Sequence, residues 1–191
     1  MTRADVTLRA IAAAGARDRR LIAARRGQGG EMSEAAAQLV ALADTVRALD
    51  DAGIAHALIG GLAVGVHSGV PRATLDVDFA VATGAGRAAV VAALTGGGFA
   101  AVGEHPHSLN FRHANGEPVQ LALDAEFDPM IARAEAVQVG TATVRIVRKA
   151  DLVAMKRRAA ADPARRRSKA LRDQADIALL LGDVPDPDEG W

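Results

Sequence analysis

The fold is decided by the stretch Ala57-Leu58-Ile59-Gly60-Gly61-Leu62-Ala63-Val64 and, a few residues later, by Pro71-Arg72-Ala73-Thr74-Leu75-Asp76-Val77-Asp78-Phe79. The first part is an apolar run that ends at two glycines and continues into a helix-compatible segment. The second part leads from a polar turn into a run that alternates between apolar and acidic residues. This order predicts a strand, a glycine turn, a helix and a second strand.

Two carboxylates mark the second predicted strand. Its period-2 alternation puts Asp76 and Asp78 on one face, about 7 Å apart. The same alternation directs the neighbouring apolar side chains towards a core, namely Leu75, Val77 and Phe79. Carboxylate oxygens suit Mg²⁺, which commonly binds through one or two carboxylates together with substrate phosphates. The strand is therefore a candidate metal site, although aspartates that only cap turns or pair with arginines would give the same pattern.

The paired glycines before the predicted helix are candidates for binding phosphate. Gly60 and Gly61 allow close approach of the backbone, and free N–H groups at the start of a helix attract anions. Arg72 adds a guanidinium that can bind phosphate in a bidentate manner, and Thr74 adds a hydroxyl that can fix the turn or a metal-bound water. Both of the latter residues could equally be scaffolding of the loop.

Joined in this order, Gly60-Gly61, Arg72-x-Thr74 and Asp76-x-Asp78 resemble the signature of the DNA polymerase β-like nucleotidyltransferase superfamily. More narrowly, they resemble the AbiEii/MenT-type nucleotidyltransferase toxins. The resemblance implies an α+β nucleotidyltransferase fold, with a small mixed β-sheet flanked by helices and a C-terminal helical extension. It also implies Mg²⁺-dependent transfer of NMP from an NTP to an acceptor hydroxyl, with release of pyrophosphate. The site residues that it implies here are Asp76 and Asp78 for metal binding and catalysis, and Gly60, Gly61, Arg72 and Thr74 for the NTP.

The third carboxylate of such a site is where this sequence departs from the family pattern. A later strand supplies it in the superfamily, and the resemblance places Gln120 at that position, in Val119-Gln120-Leu121-Ala122-Leu123-Asp124. A neutral amide can coordinate a metal weakly but contributes no charge. Asp124 lies on the same strand face by alternation, about 13 Å further along, and is a candidate metal ligand. Its alternative role is to cap the next turn.

Two segments near the C-terminus extend the resemblance. Asp151-Leu152-Val153-Ala154-Met155-Lys156 looks like the toxin-type pattern Asp-Leu-x-x-x-Lys, and Arg172-Asp173-Gln174-Ala175-Asp176-Ile177 is similar to the later Lys-Asp-x-x-Asp-Ile. The resemblance implies that Lys156 lies at the phosphates and that Asp176 faces the active site, both as catalytic residues. Lys156 would neutralise triphosphate charge, and Asp176 would orient that lysine or assist the acceptor hydroxyl. A surface lysine and an intrahelical ion pair are the alternative.

Length and turn signals predict one catalytic domain with helical additions. A chain of 191 residues can bury one good core. The predicted regions are an N-terminal helical arm at 1–30, a nucleotidyltransferase core at 31–148, a C-terminal helical extension at 149–182 and a flexible acidic tail at 183–191. Within the core, apolar spacing predicts helices 33–51, 61–68 and 88–94, a helical turn at 130–136, and strands 55–59, 75–81, 99–102, 108–113, 118–124, 137–139 and 143–147.

Charge distribution and cysteine content bear on partners and compartment. The formal charge is zero, but Arg17–Arg26 and Arg145–Arg172 are basic. Within the second stretch, the residues that could either contact an RNA backbone or form a solvated face are Arg157, Arg158, Arg165, Arg166, Arg167 and Lys169. Aromatic residues make up 3% of the chain, which argues against recognition of single strands by base stacking. The chain has no cysteine, no signal-peptide core and no apolar stretch of membrane-spanning length. A cytoplasmic protein without a membrane partner is therefore expected.

Two functions remain open from the sequence. The first is an active nucleotidyltransferase whose acceptor is a tRNA 3′ end, a protein hydroxyl or a small molecule such as an aminoglycoside. The toxin resemblance adds an antitoxin protein as an expected partner. The second is a degenerate, catalytically weak protein of the same fold that binds nucleotide or a partner protein, and Gln120 is its motivation.

Overall fold

A computed structural model describes residues 2–25, 37–72, 74–139 and 142–184, and for residues 15–25 it describes the backbone alone. The helices in these ranges are α1 (Arg3–Arg25), α2 (Ala37–Asp51), α3 (Gly60–Ser68), α4 (Arg87–Gly96), α5 (Asp128–Ala132), α6 (Lys149–Ala161) and α7 (Arg167–Leu181). The strands are β1 (His56–Leu58), β2 (Val77–Val81), β3 (Ala100–His105), β4 (Ser108–Arg112), β5 (Pro118–Ala122), β6 (Glu135–Val139) and β7 (Ala142–Ile146). Short 3₁₀ turns span Thr83–Ala85 and Ala125–Phe127.

The strands of the described ranges form one mixed sheet in the order β3-β4-β5-β2-β1-β7-β6. Strand β2 lies at its centre, antiparallel to β1 and parallel to β5. Strand β1 is parallel to β7, and the pairs β3–β4, β4–β5 and β6–β7 are antiparallel. Helices cover the sheet, and α6 and α7 follow it in the chain. The predicted α+β architecture, with a C-terminal pair of helices, is confirmed.

The centre of the sheet supplies the core beneath the carboxylates. Val77 and Phe79 of β2 and Leu121 of β5 are fully buried or nearly so. The prediction that Leu75 shares their face is wrong. The first residue of β2 is Val77, and Leu75 lies in a bend before it with 44% of its surface exposed. Strand alternation does not reach back to that bend, so Asp76 enters the site from a loop and not from the strand.

The first turns of α1 pack against α3. Leu8 and Ile11 are fully buried, and the side chain of Ile11 occupies the space that a Cβ on Gly65 would fill. Helix–helix contact is close at this point because Gly65 has no side chain. The described side chains of α1 therefore anchor its first turns on the domain through an apolar face.

Most predicted elements are present with shifted ends. The strand predicted at 118–124 ends at Ala122, the helical turn predicted at 130–136 spans Asp128–Ala132, and the strand predicted at 99–102 continues to His105. Residues 33–36, Gly140 and residues 185–191 lie outside the described residues, so the helix start, the hairpin turn and most of the tail predicted there are not described. None of the helices in the described ranges combines the length and apolar character needed to cross a bilayer.

Candidate active site

A cleft of about 550 Å³ lies between the glycine turn, the ends of β2 and β5, and helices α6 and α7. It brings together residues that are far apart in the chain. The predicted site residues that line it are Gly60, Gly61, Arg72, Thr74, Asp76, Asp78 and Lys156. Strand β2 and the loop before it contribute the acidic wall of the cleft, with Asp78 and Asp76, and the C-terminal helices contribute a basic wall.

The glycine turn makes room for the side chains opposite it. Gly60 has φ of 67°, and a Cβ at this position would overlap the carboxylate of Asp78. A Cβ on Gly61 would overlap the guanidinium of Arg72 and the side chain of Thr74. The left-handed conformation at Gly60 and the close contact at Gly61 both require glycine. The turn therefore places the first backbone groups of α3 directly beside Asp78, Arg72 and Thr74.

The two carboxylates of the acidic wall influence each other. The Thr74 hydroxyl donates a hydrogen bond to Oδ1 of Asp76 (3.0 Å), and the main-chain carbonyl of Asp78 accepts one from the Ile59 N–H (2.9 Å). Burial and, next, the Asp76 carboxylate raise the pKa of Asp78 to about 7, against the opposing charges of Lys156, Arg72 and Lys169. The negative charge at this point is therefore under-compensated by the protein's own cations.

Asp76 and Asp78 fit a divalent cation that is also coordinated by the oxygens of a bound phosphate group. Two adjacent carboxylates of which one has a raised pKa form a donor set that a cation would stabilise. Across residues 2–25, 37–72, 74–139 and 142–184, no group of three or more histidine, aspartate or glutamate side chains could hold a metal ion by itself. Mg²⁺ is the ion that suits such an incomplete set, because it often binds through one or two carboxylates and completes its shell with phosphate oxygens and water.

The basic wall is held by two buried aspartates of α7. Asp173 and Asp176 are 2% and 1% exposed. Nζ of Lys156 lies 2.8 Å from both Oδ1 of Asp173 and Oδ2 of Asp176, and only the first of these contacts has hydrogen-bond geometry. Arg165 binds the other oxygen of Asp173 (2.5 Å), and Arg72 forms an ion pair with Asp176. A chain of alternating charges thus links the loop before β2 to α6 and α7.

The pKa of Asp173 follows from these contacts. Burial would raise it, but the hydrogen bonds and positive charges of Lys156 and Arg165 together hold it below its usual range. Asp173 is therefore ionised at neutral pH. Asp173 and Lys156 both line the cleft. The ionised carboxylate therefore holds the Lys156 ammonium at the cleft surface through their ion pair.

Sequence comparison identifies the family. Residues 41–189 match the family model described as nucleotidyl transferase AbiEii toxin, type IV TA system. The chain belongs to the AbiEii nucleotidyltransferase toxin family. The resemblance drawn from the glycine turn and the Asp-x-Asp motif is thereby confirmed. The comparison with curated proteins finds no match.

Solved structures share the fold of this AbiEii-family chain. The solution structure of the antibiotic-resistance factor ANT(2'')-Ia aligns with a TM-score of 0.57 and 16% identity, over 76% of this chain and 85% of that chain. The lincosamide antibiotic adenylyltransferase LnuA, bound to lincomycin, aligns with a TM-score of 0.53 and 14% identity, over 77% and 96%. An antigenic nucleotidyltransferase-like protein from Paracoccidioides brasiliensis aligns with a TM-score of 0.53 and 21% identity, over 80% and 79%. At these identities the matches show a common fold.

The departure from the AbiEii-type pattern is visible on β5. Gln120 is in parallel register with Asp78 and lines the cleft beside it. Asp124, by contrast, is not among the side chains that line the cleft. It lies beyond the end of β5, where its side chain accepts a hydrogen bond from the Glu126 N–H (3.1 Å) and contacts Nδ1 of His107 (2.9 Å). The strand stops at Ala122, so alternation does not carry Asp124 to the site, and the geometry corresponds to its alternative role as a capping residue.

The basic wall contains residues that sequence reasoning did not assign to the site. Arg165, Lys169, Arg172 and Asp173 also line the cleft. Among the described residues, Lys169 and Arg172 have no ion-pair partner, unlike Lys156, Arg72 and Arg165. A signal was present in the sequence, because positions 169, 172, 173 and 176 recur at the three- and four-residue spacing of one helix face.

The raised pKa of Asp78 predicts a pH-dependent stability. The pKa of Asp78 is about 7 in the folded protein against an ordinary value of 3.8, so the folded state holds a proton that the unfolded state has lost between these values. The free energy of unfolding should therefore fall as pH rises from about 4 to about 7. We expect denaturant titrations in EDTA to show this fall in the parent and a smaller one in Asp78→Asn. Equal pH profiles of the two proteins would contradict the assignment.

Proposed function

We propose that this AbiEii-family protein is an active Mg²⁺-dependent nucleotidyltransferase that transfers NMP from an NTP to an acceptor hydroxyl and releases pyrophosphate. The observation that carries the proposal is the charge arrangement across one cleft. Asp76 and Asp78 line one wall, and Lys156 lines the other with two cations that lack ion-pair partners in the described residues, Lys169 and Arg172. A nucleoside triphosphate with bound metal presents a cation that suits the acidic wall and phosphate charges that suit the basic wall.

The two walls have different tasks in this proposal. Residues 31–148 form the nucleotidyltransferase core, and its glycine turn offers backbone N–H groups at the start of α3 to the triphosphate. Residues 149–182 form the helical extension, which supplies the phosphate-binding cations. The N-terminal helical arm, residues 1–30, and the acidic tail, residues 183–191, are given no role in this proposal. The NTP would thus bind between the core and the extension.

The reaction forms a bond between the acceptor oxygen and the α-phosphorus. The bond from that phosphorus to the bridging oxygen breaks, pyrophosphate leaves with the electron pair, and the hydroxyl proton is released to solvent. When bound at Asp76 and Asp78, Mg²⁺ supplies charge stabilisation at the phosphate oxygens. Lys156 stabilises the charge that develops on the departing phosphates, and Asp176 holds the Lys156 ammonium and the Arg72 guanidinium in place before the reaction begins.

The acceptor is proposed to be an RNA, with a tRNA 3′ end as the first candidate. The two ends of the basic segment Arg165-Arg166-Arg167-Ser168-Lys169, Arg165 and Lys169, line the cleft, and the segment can contact a phosphate backbone. The toxin family description also supports a partner antitoxin protein. We place the activity in the cytoplasm, where NTP, Mg²⁺ and tRNA are present together.

The second candidate function is that of a degenerate nucleotidyltransferase that binds nucleotide or a partner protein without turnover. The neutral Gln120 beside Asp78 favours it, because the strand position next to Asp78 contributes no third carboxylate to a metal. Calorimetric titration with Mg-NTP followed by a pyrophosphate-release assay separates the two functions. Binding accompanied by release supports the active enzyme, and binding without release supports the degenerate one.

Gln120→Asp tests the consequence of the missing carboxylate. A carboxylate at position 120 would add an oxygen ligand and a negative charge next to Asp78, so we expect tighter Mg²⁺ binding and pyrophosphate release increased by about tenfold or more. The control is Asp124→Asn, which removes a carboxylate outside the cleft and should leave both quantities unchanged. If Asp124→Asn reduced turnover and Gln120→Asp did not change it, β5 would be wrongly aligned with the site.

A further inference from the structure

A fully buried amide on α2 contacts the loop that carries Asp76. Gln38 is 0% exposed. Its Nε2 donates a hydrogen bond to the main-chain carbonyl of Thr74 (3.2 Å) and lies 3.5 Å from the carbonyl of Asp76. Gln38 and this loop are 36 and 38 residues apart in the chain. A single side chain thus reaches the backbone on both sides of Leu75.

The contacted loop has no regular structure that would fix it. Thr74 and Asp76 lie before Val77, the first residue of β2, in a stretch that is neither helix nor strand. The direction of the Asp76 carboxylate therefore depends on side-chain contacts within the loop and to it. One of them is the Thr74 hydroxyl, which donates to Oδ1 of Asp76 (3.0 Å). Since Gln38 holds the Thr74 carbonyl and Thr74 holds the Asp76 carboxylate, the two hydrogen bonds form a relay from α2 to the acidic wall.

The buried amide of Gln38 carries a cost to the stability of the fold. Within the described part of the chain, its Oε1 is buried and accepts no hydrogen bond. A buried polar atom without a partner is destabilising, and an apolar side chain of similar size would avoid that cost. The donor end of the amide is therefore the part that the structure uses, and its target is the Asp76 loop.

We infer that Gln38 is a positioning residue that presents Asp76 to the divalent cation of the active site. The inference rests on the proposed function, because it takes Asp76 as a metal ligand. It extends the site to α2, an element that contributes nothing to the walls of the cleft. Residues that orient a metal ligand commonly change metal affinity about 10- to 100-fold when they are replaced.

The test compares two variants on the same helix. Gln38→Met keeps approximate size and removes the donor. Thr45→Val is the matched control, because Thr45 is also 0% exposed and its hydroxyl donates to the Ala41 carbonyl of its own helix (2.7 Å), away from the loop. Mn²⁺ alone is the probe, titrated into the full-length metal-free protein and followed by electron paramagnetic resonance. Hydrogen exchange of the peptide that covers Thr74 to Asp76 is the second readout.

We expect Gln38→Met to weaken Mn²⁺ binding about tenfold or more and to speed exchange of that peptide, with Thr45→Val changing neither. Unchanged Mn²⁺ affinity in Gln38→Met overturns the inference, even if the loop exchanges faster, as does equal weakening in Thr45→Val. The proposed metal site has its own control in Asp76→Asn. If the parent binds no Mn²⁺, or if Asp76→Asn binds Mn²⁺ as tightly as the parent does, the proposed metal site and the inference are both wrong.

Discussion

Replacing Asp78 by asparagine is expected to reduce NTP turnover by at least about a thousandfold, comparable with or greater than the loss of one preorganised transition-state contact. The change removes a carboxylate from the cleft and leaves the core face of β2 untouched. The same variant should be more stable than the parent without metal at pH 8, because an asparagine side chain carries no charge to bury beside Asp76. Asp78 keeps part of its surface exposed, so we expect a gain of only about 1–2 kcal/mol, or a Tm higher by roughly 3–6 °C.

Opposite signs for activity and stability make this prediction specific. A variant that lost activity by unfolding would have a lower Tm, whereas loss of a functional carboxylate held under strain raises it. Pyrophosphate release and thermal unfolding in EDTA measure the two quantities. Full turnover in Asp78→Asn would show that Asp78 is not a catalytic residue. A Tm several degrees below that of the parent would show that burial beside Asp76 does not explain the raised pKa of Asp78.

Replacing Asp176 by asparagine is expected to have the opposite effect on stability. Asp176 is buried and bridges Lys156 and Arg72. Its loss leaves two largely buried cations short of a counter-charge, which costs about 3 kcal/mol and lowers Tm by roughly 6–12 °C. The KM for the NTP should rise about tenfold or more, because both cations lose the group that orients them. Thermal unfolding and steady-state kinetics at a temperature where the variant is folded measure these effects.

Asp44→Asn is the control for Asp176→Asn, because it also removes an aspartate that pairs with two other side chains. Asp44 on α2 pairs with Arg47 and His113, is 25% exposed and lies away from the cleft. Its replacement should lower stability by a smaller amount, about 1 kcal/mol, and should leave the KM for NTP unchanged. If Asp176→Asn were as mild as Asp44→Asn, the ion-pair chain would be a surface feature without a role in holding Lys156.

The acidic wall could be predicted from sequence because its geometry is local. Gly60 and Gly61 stand at the end of one short strand, and Asp78 lies on the next, so local pattern and chain order bring them together. The resemblance places Gln120 at the position of the third carboxylate, and in the structure it lies opposite Asp78 because β5 pairs with β2 in parallel register. The limits of local reasoning appear two residues outside the strands. Strand alternation fails before Val77, at Leu75, and after Ala122, at Asp124.

The basic wall and its supports could be predicted only in part. The resemblance pointed to Lys156 and Asp176, but the geometry that joins them depends on how α6 and α7 pack against the loop before β2. Helical spacing indicates that positions 169, 172, 173 and 176 share one face, but no local pattern indicates that Asp173 pairs with Lys156 on another helix. Gln38 carried no signal at all, because a glutamine in an alanine-rich helix is an ordinary surface residue until the fold places it over Thr74.

Transfer of NMP is tested most directly by following the label on the NTP phosphates. The purified full-length protein is incubated with Mg²⁺, deproteinised total cellular RNA, and NTP labelled at either the α- or the γ-phosphate. Asp78→Asn provides the background. We predict that label from the α-position becomes attached to an acceptor in the RNA fraction and that label from the γ-position appears only in pyrophosphate. Attachment of the γ-label to an acceptor, or equal α-label transfer by parent and Asp78→Asn, would contradict the account.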